Sequence, residues 1–272
     1  MSMSRRDVLG LTPAFLLPLS FHPGGTAAPA QVQAGQVGMP VVLDEAFPSH
    51  PAALAREFVI AAHGNVARVR ELIARWPTLS KACIDWGYGD WEDALGAASH
   101  VGSREVAELL ISKGARPTLF SATMLGQLNT VKAFIATTPG VEGTYGPHGI
   151  SLLRHAVAGG AGAAPVLEYL KGLPNADRQP ETRAIAPDEQ RALTGTYSFG
   201  LAAEDKLVVE LSGTNLTIAR PGRFARTLAH LGDRAFYPAG APEVRIRFGE
   251  RAGKQIVSVF DPDLVVTGTK VG

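Results

Sequence analysis

The chain has 272 residues, of which 46% are apolar and 19% are charged. This composition is typical of a globular protein that can fill a core of ordinary size. The 26 lysines and arginines nearly balance the 25 aspartates and glutamates, so the chain lacks the broad positive field on which nucleic-acid binding depends. A single cysteine, Cys83, excludes an internal disulfide.

The N-terminal segment, residues 1–30, has the pattern of a signal peptide. Two adjacent arginines precede an apolar stretch over residues 9–21, and small residues follow at 28–30. The residues that resemble the twin-arginine export signal of bacteria are Ser4, Arg5, Arg6 and Leu9. The resemblance implies a periplasmic or extracellular protein, often one loaded with a cofactor; a general secretory signal is the alternative. The apolar stretch is too short for a stable membrane span.

Helical periodicity begins after a predicted linker at residues 31–51. From Pro51 onward apolar residues fall on helical spacing, interrupted once at Gly64, which predicts two helices joined by a tight turn. The unit returns with turn glycines at 102, 126 and 160, at intervals of 38, 24 and 34 residues. Residues 52–175 are therefore predicted to form four helix pairs.

The second of these units resembles the ankyrin repeat family. The resemblance is carried by Leu95, Ala98, Gly102, Glu105, Val106, Leu109, Leu110, Gly114 and Ala115. It implies a stack of helix pairs over residues 52–175 that binds protein partners along one face. The family period is about 33 residues, so the short interval after Gly102 implies that one repeat lacks its β-turn finger.

The long loop at residues 85–93 contains aromatic and acidic residues between glycines. In an ankyrin-like stack such a loop projects beside the concave surface, where aromatic side chains form binding hot spots. The predicted partner-binding residues in this loop and in the loop at 144–149 are Trp86, Tyr88, Asp90, Trp91, Tyr145 and His148. The alternative is that Trp86 and Trp91 cover the repeat core, since tryptophan is highly buried on average.

A second linker is predicted at residues 176–187, which are polar and contain prolines. Beyond it the apolar period becomes two, as at Leu207, Val209 and Leu211. Residues 188–272 are predicted to form an antiparallel β-domain of about six to eight short strands, closed as a small barrel or sandwich. The fold class is therefore multidomain, with a helical part followed by a β part.

The β-domain is similar to a small module that is appended to exported bacterial serine hydrolases and peptidases. The segments that carry this similarity are 193–197, 216–218, 236–237 and 244–248. The resemblance implies an accessory module without catalytic residues. Arg245 and Arg247 share one face of their predicted strand, where they form either an anion-binding patch or a solvated face balanced by nearby acids.

Motifs of known chemistry are missing from the sequence. There is no nucleophile elbow, no zinc-protease motif, no pair of closely spaced cysteines and no phosphate-binding loop. His63 and His100 occupy matching positions before the turn of their units, and His155 lies in another first helix. Since no carboxylate or cysteine joins them at ligand spacing, the sequence predicts no metal site, no cofactor and no catalytic residue.

These observations favour an exported interaction protein that is not an enzyme. An ankyrin-like scaffold would bind a protein partner in the cell envelope, in a structural or protective role that the sequence does not distinguish from other binding. The alternative is a small-ligand carrier or enzyme accessory that acts through the β-domain, and it predicts a pocket in that domain.

Overall fold

The structure, a computed structural model, describes residues 48–202 and 205–272. The predicted signal peptide, residues 1–30, and nearly all of the predicted linker at 31–51 lie outside the described residues. The described part forms one compact unit, in which helices precede strands along the chain. None of its helices combines the length and the apolar character that crossing a membrane requires.

Eight helices in the first half of the described chain form four consecutive pairs. They are α1 (Ala52–Ala62), α2 (Val66–Arg75), α3 (Ala94–His100), α4 (Arg104–Ser112), α5 (Leu119–Met124), α6 (Leu128–Thr137), α7 (Leu152–Ala158) and α8 (Ala164–Lys171). The two helices of each pair contact each other. The first helices also form a row, because α1 contacts α3, α3 contacts α5 and α5 contacts α7. This row places the C-terminal ends of α1 and α3 side by side.

Glycine is required at the turns inside the helix pairs. Gly64, Gly102 and Gly126 have φ of +128°, +74° and +75°, a region that side chains other than glycine rarely adopt. A Cβ atom at Gly102 would lie 2.1 Å from the carbonyl oxygen of Ala158, and one at Gly126 would lie 2.0 Å from that of Gly162. The predicted tight turns are present at these glycines, and at Gly102 and Gly126 the absence of a side chain also lets neighbouring pairs approach closely.

A short hairpin occupies the loop between the first two pairs, where the sequence predicted only a loop. Its strands are β1 (Cys83–Asp85) and β2 (Trp91–Asp93). The strands pair in antiparallel fashion with Ile84 opposite Glu92, and both of these residues are buried. Asp93 then accepts a hydrogen bond from the backbone N–H of Gly96 at 2.5 Å and caps α3. The hairpin and the cap together fix where Glu92 lies relative to α3.

The C-terminal part is a closed, eight-stranded antiparallel barrel. Its strands are β3 (Gly195–Ser198), β4 (Lys206–Ser212), β5 (Asn215–Ala219), β6 (Arg226–Gly232), β7 (Ala235–Pro238), β8 (Arg245–Arg251), β9 (Lys254–Asp261) and β10 (Leu264–Lys270). Each strand pairs with the next along the chain, and β10 pairs with β3 to close the barrel. The prediction of helices followed by a small antiparallel barrel is confirmed.

Aromatic side chains fill the barrel interior. The ring of Phe248 lies 5.7 Å from that of Tyr197 and 5.5 Å from that of Phe236, in edge-to-face contacts. A ninth helix, α9 (Pro187–Leu193), precedes β3, where the sequence predicted the end of a linker and the start of the β-domain. Its last residue is buried, and its carbonyl accepts a hydrogen bond from the Tyr197 hydroxyl at 2.8 Å. The interior is therefore closed by packed side chains next to α9.

The hairpin loop joins the helices to one end of the barrel. Arg226, the first residue of β6, donates hydrogen bonds to the Trp86 carbonyl and to a carboxylate oxygen of Asp90, both at 2.9 Å. Tyr88, at the tip of the hairpin, packs against the apolar core of the barrel. The loop that the sequence assigned to an external partner is thus in contact with the chain's own β-barrel.

Candidate metal centre

Four side chains from separate segments meet where the hairpin, the helices and the loop after α6 come together. His63 is the residue that follows α1, His100 ends α3, Glu92 lies in β2, and His148 lies in a short turn, Pro147–Gly149. His63 and His100 are neighbours because α1 packs against α3. Glu92 is fully buried, whereas the three histidines are half-buried.

One carboxylate oxygen, Oε1 of Glu92, lies close to all three imidazole rings of this cluster. The Nε2 atoms of His63, His100 and His148 lie 3.4, 2.9 and 3.2 Å from Oε1 of Glu92. The Nε2 atoms of His63 and His100 are 3.1 Å from each other. All four potential ligand atoms lie within 4.8 Å of one another. Three imidazole nitrogens and one carboxylate oxygen therefore point at one small volume.

In two of the imidazole rings the nitrogen that faces away from Glu92, Nδ1, lies against a hydrogen-bond acceptor. Nδ1 of His63 lies 3.1 Å from the Val59 carbonyl oxygen, and Nδ1 of His148 lies 3.0 Å from Oδ2 of Asp90. Carbonyl and ionised carboxylate oxygens only accept hydrogen bonds, so each Nδ1 carries a proton. In the neutral imidazole the lone pair is then on Nε2, the atom that faces Glu92. Lone pairs that converge on an anionic oxygen require a cation between them, either protons or a metal ion.

The electrostatics of Glu92 agree with this requirement. Burial raises the pKa of the Glu92 carboxyl, but hydrogen bonds with His100, His148 and His63 outweigh burial and hold that pKa well below its usual range. The second oxygen, Oε2, accepts a hydrogen bond from Nε1 of Trp86 at 2.8 Å. Glu92 is therefore an anion that offers one oxygen, Oε1, to the cluster.

His148 is held by a second buried acid, Asp90. The Asp90 carboxylate accepts hydrogen bonds from the His148 backbone N–H at 2.7 Å and from Arg226 at 2.9 Å, besides the contact with the His148 ring. Burial raises the pKa of Asp90, but these hydrogen bonds from His148 and Arg226 lower it further than burial raises it. Hydrogen bonds with Asp90 and Glu92 in turn raise the pKa of His148 to about 9.

The spacing of the ligand atoms fits a small tetrahedral ion. With metal–ligand distances of about 2.0–2.1 Å, the ligand atoms of a tetrahedral zinc site lie about 3.3 Å apart. Four of the six separations in the cluster fall between 2.9 and 3.4 Å, and none exceeds 4.8 Å. Imidazole nitrogens and a carboxylate oxygen suit zinc, copper, iron or nickel. Imidazoles whose outer nitrogens are hydrogen-bonded to a carbonyl or a carboxylate are also typical of metal sites.

The residues predicted to bind a partner occupy three different environments. Trp86, Asp90 and His148 belong to the cluster or contact it directly. Tyr88 packs into the end of the barrel, where burial raises the pKa of its hydroxyl to about 12. Trp91 is 62% exposed, and it lines a cleft of about 530 Å³ together with the half-buried Tyr145.

Sequence reasoning missed the role of Glu92 and therefore the cluster itself. It found no carboxylate at ligand spacing from His63 and His100, but β2 brings Glu92 next to both in space. The matching positions of the two histidines were visible as a pattern. No sequence pattern links them to His148 or to Arg226, because the contact between Arg226 and Asp90 spans 136 residues.

Comparison with known proteins adds no further assignment. No family model matches the chain, and a search of curated proteins gives no match in sequence. The chemistry of the cluster has to be inferred from its own geometry.

Proposed function

We propose that this protein binds a transition-metal ion of the zinc type through His63, Glu92, His100 and His148. The observation that carries the proposal is the convergence of three Nε2 atoms on one oxygen of the fully buried Glu92, at distances of 2.9–3.4 Å. These are the distances between ligands of a tetrahedral ion. A network of protonated histidines around Glu92 is the competing explanation, and the experiment below separates the two.

The number of protein ligands supports a structural ion. Four protein ligands fill a tetrahedral shell, whereas catalytic zinc sites keep one position open for water or substrate. The ligands come from the residue after α1, from β2, from the last residue of α3 and from the turn Pro147–Gly149. A bound ion would fasten these segments to one another and, through Asp90 and Arg226, to the barrel.

The export signal gives this proposal a cellular context. Residues 1–30 resemble the signal peptide of the twin-arginine route. That route transports proteins that have already folded and often carry a cofactor. A protein exported in this way would acquire its metal before it reaches the periplasm. In the same proposal the four helix pairs are an ankyrin-like stack, supported by the row of contacts between first helices. The stack would supply the rigid frame for the ligands.

The direct test is metal content and coordination of the full chain. After chelator treatment and dialysis against Zn²⁺ or Co²⁺, we expect one tightly bound ion per chain and the visible absorption bands of tetrahedral Co²⁺. Glu92→Gln and His100→Ala should each weaken binding at least tenfold, because the first replaces an anionic ligand with a neutral amide and the second removes an imidazole ligand. The control is His50→Ala, since His50 lies outside the cluster and hydrogen-bonds Thr78.

Two results would overturn the metal proposal. One is the absence of a stoichiometric ion in folded wild-type protein. The other is equal metal affinity in Glu92→Gln, His100→Ala and the His50→Ala control. Either result would leave the cluster as a network of protonated histidines around Glu92.

A second candidate function, binding of an envelope protein, is favoured by the exposed Trp91. Its side chain is 62% exposed beside the cleft shared with Tyr145, and exposed tryptophans are common binding hot spots. Trp91→Ala should abolish co-purification of a specific partner from an envelope fraction. Phe134→Ala, which truncates an exposed aromatic side chain on α6, should leave it intact. If both variants co-purified the partner equally well, this candidate function would be wrong.

A further inference from the structure

A second cavity lies at the end of the barrel that faces the hairpin, and it has a volume of about 580 Å³. This size is within the range of small-molecule sites, about 300–1,000 Å³. Its walls come from the ends of the strands around β4, β5, β9 and β10 and from the hairpin tip. The barrel interior beyond it is filled by side chains such as Phe236 and Phe248. A ligand would therefore occupy the mouth of the barrel.

The floor and part of the rim of this cavity are apolar. Its apolar lining consists of Trp86, Tyr88, Phe199, Leu207, Ile218, Ala219, Phe224, Val259 and Val266. Two of these side chains are left open to solvent, since Phe224 is 76% exposed and Val266 is 40% exposed. Large exposed apolar side chains beside a concave surface mark a place where apolar groups bind.

The rim of the same cavity is strongly cationic. Its basic residues are Arg56, Lys206, Arg220, Arg223 and Arg226, and its acidic residues are Asp85 and Asp205. Arg226 is paired with Asp90, and Arg220 lies 3.8 Å from Asp205. Within residues 48–202 and 205–272, Arg56, Lys206 and Arg223 form no ion pair with a carboxylate. These cations are available to a ligand anion.

Arg56 already lies between the aromatic groups of the cavity. Its guanidinium carbon is 4.7 Å from the centre of the Trp86 ring and 5.1 Å from that of Phe224. Stacking of this kind leaves the N–H groups at the guanidinium edge free to donate. An anion at the rim would therefore find oriented donors directly above an apolar floor.

We infer that the mouth of the barrel binds an amphipathic anion, an alkyl chain of medium length that ends in a carboxylate. The chain would lie on Leu207, Ile218 and Val259, and the carboxylate would meet Arg56 and Arg223. The inference rests on the cavity and its charges and does not depend on a metal at Glu92. Failure of one proposal therefore leaves the other standing.

The test is a calorimetric titration of the full chain with a series of saturated carboxylates, which measures the dissociation constant of each. Burial of each further methylene group should tighten binding about fourfold, so the dissociation constant should fall steadily from octanoate to decanoate to dodecanoate. Dodecan-1-ol, which lacks the charge, should bind at least tenfold more weakly than dodecanoate. Dodecyl phosphate tests whether a phosphate headgroup is preferred to a carboxylate, and a clear preference for it would overturn the assignment.

Three variants separate a built site from binding to any cationic surface. Arg223→Ala should weaken dodecanoate binding about tenfold, since an ion pair with the ligand is lost. Ala219→Phe should fill the cavity and abolish the dependence on chain length. Arg251→Ala, at an exposed arginine that does not line the cavity, should change nothing. The inference is overturned if chain length has no effect in wild type, or if Arg251→Ala weakens binding as much as Arg223→Ala.

Discussion

The helical region and the barrel both have an apolar core, but they differ in the number of polar side chains that they bury. The buried polar residues of the described chain are Ser80, Asp90, Glu92, Ser99, Ser121, Thr123, Ser151, His155 and Thr217. All of them except Thr217 lie in the helical region or its loops. The barrel interior is apolar and aromatic, with Tyr197, Phe236 and Phe248 in mutual contact. The stability of the helical region therefore depends on buried polar groups in addition to its apolar core, whereas that of the barrel depends mainly on apolar packing.

Because of this difference, we expect the stability of the helical region to depend on solution conditions and the stability of the barrel to depend on side-chain packing. A buried polar group is stable only while its partners keep the correct protonation state or charge. A packed apolar interior depends on volume and changes little with pH or metal. The helical region, which contains the proposed metal site, should respond to pH and metal, while the barrel should act as the constant part of the structure. The following predictions test that division, beginning with the largest effect.

The largest expected effect is the truncation of Phe236 in the barrel. Phe236→Ala should lower the free energy of unfolding by about 3–5 kcal/mol, because Phe236 is fully buried and the change leaves a cavity. The loss should be the same with zinc and with chelator. Urea unfolding monitored by circular dichroism measures both. Phe224→Ala, at a residue that is 76% exposed, is the control and should cost less than about 0.5 kcal/mol.

A dependence on metal would contradict the division between the two regions. If zinc changed the cost of Phe236→Ala by more than 1 kcal/mol (about a fivefold change in equilibrium constant), the barrel interior would be coupled to the cluster. The junction between Arg226 and Asp90 is the contact through which such coupling would act.

The next effect is a loss of stability in acid caused by His155. This side chain is fully buried, its Nδ1 lies 2.9 Å from the Ser151 carbonyl oxygen, and its Nε2 has no hydrogen-bond partner among the residues that the structure describes. Burial lowers the pKa of His155 to about 4. In the unfolded chain the pKa is about 6.5, so the unfolded state binds the proton first as the pH falls. Stability should therefore be lost between pH 6.5 and pH 4, by about 3 kcal/mol.

The measurement compares wild type with His155→Leu in chelator-treated protein. Leucine is of similar size and does not titrate, so the variant should lose about 3 kcal/mol less than wild type between pH 6.5 and pH 4. His50→Leu, at a half-buried histidine that lies outside the cluster and hydrogen-bonds Thr78, should follow the wild-type curve. Parallel curves for wild type and His155→Leu would show that His155 takes up its proton in the folded state as easily as in the unfolded chain.

Regular periodicity made much of the fold predictable from the sequence. Turn glycines at 64, 102 and 126 marked the centres of helix pairs, because positive φ and close packing leave few other choices. Alternation at Leu207 and Val209 marked β4 for the same kind of reason, since successive side chains of a strand point to opposite faces. Helix pairs and strands repeat the same local requirements along the chain, so they produce a regular spacing of residue types in the sequence.

The candidate site could not be predicted because it is made of single, non-local contacts. The strands β1 and β2 have only three residues each, too few for a period. Glu92 and His148 are in contact although they are 56 positions apart in the sequence, and no spacing rule applies to such a contact. The sequence assigned residues of the loop at 85–93 to partner binding. Trp86, Asp90 and Glu92 of this loop lie against the cluster or the barrel, and Trp91 is the only one of its predicted partner-binding residues that is exposed.

The smallest of the three effects concerns Asp90, the acid that holds His148. Asp90→Asn leaves every proposed metal ligand in place but weakens the hydrogen bond to Nδ1 of His148 and the pairing with Arg226. Loss of such an outer carboxylate typically lowers metal affinity by about 10- to 100-fold. We therefore expect about 1.4–2.7 kcal/mol less binding free energy for Zn²⁺, measured by competition with a chelating indicator.

A merely structural role for Asp90 would give a different result. Arg226→Met removes the ion pair with Asp90 but keeps the contact between Asp90 and His148, so it should reduce metal affinity less than Asp90→Asn does. Asp263→Asn, at an exposed acid far along the chain, controls for the change in net charge and should have no effect. If Arg226→Met and Asp90→Asn weakened Zn²⁺ equally, Asp90 would act by joining the barrel to the hairpin. If Asp90→Asn alone weakened it, Asp90 would act by orienting the His148 ring, which is the role that its hydrogen bonds indicate.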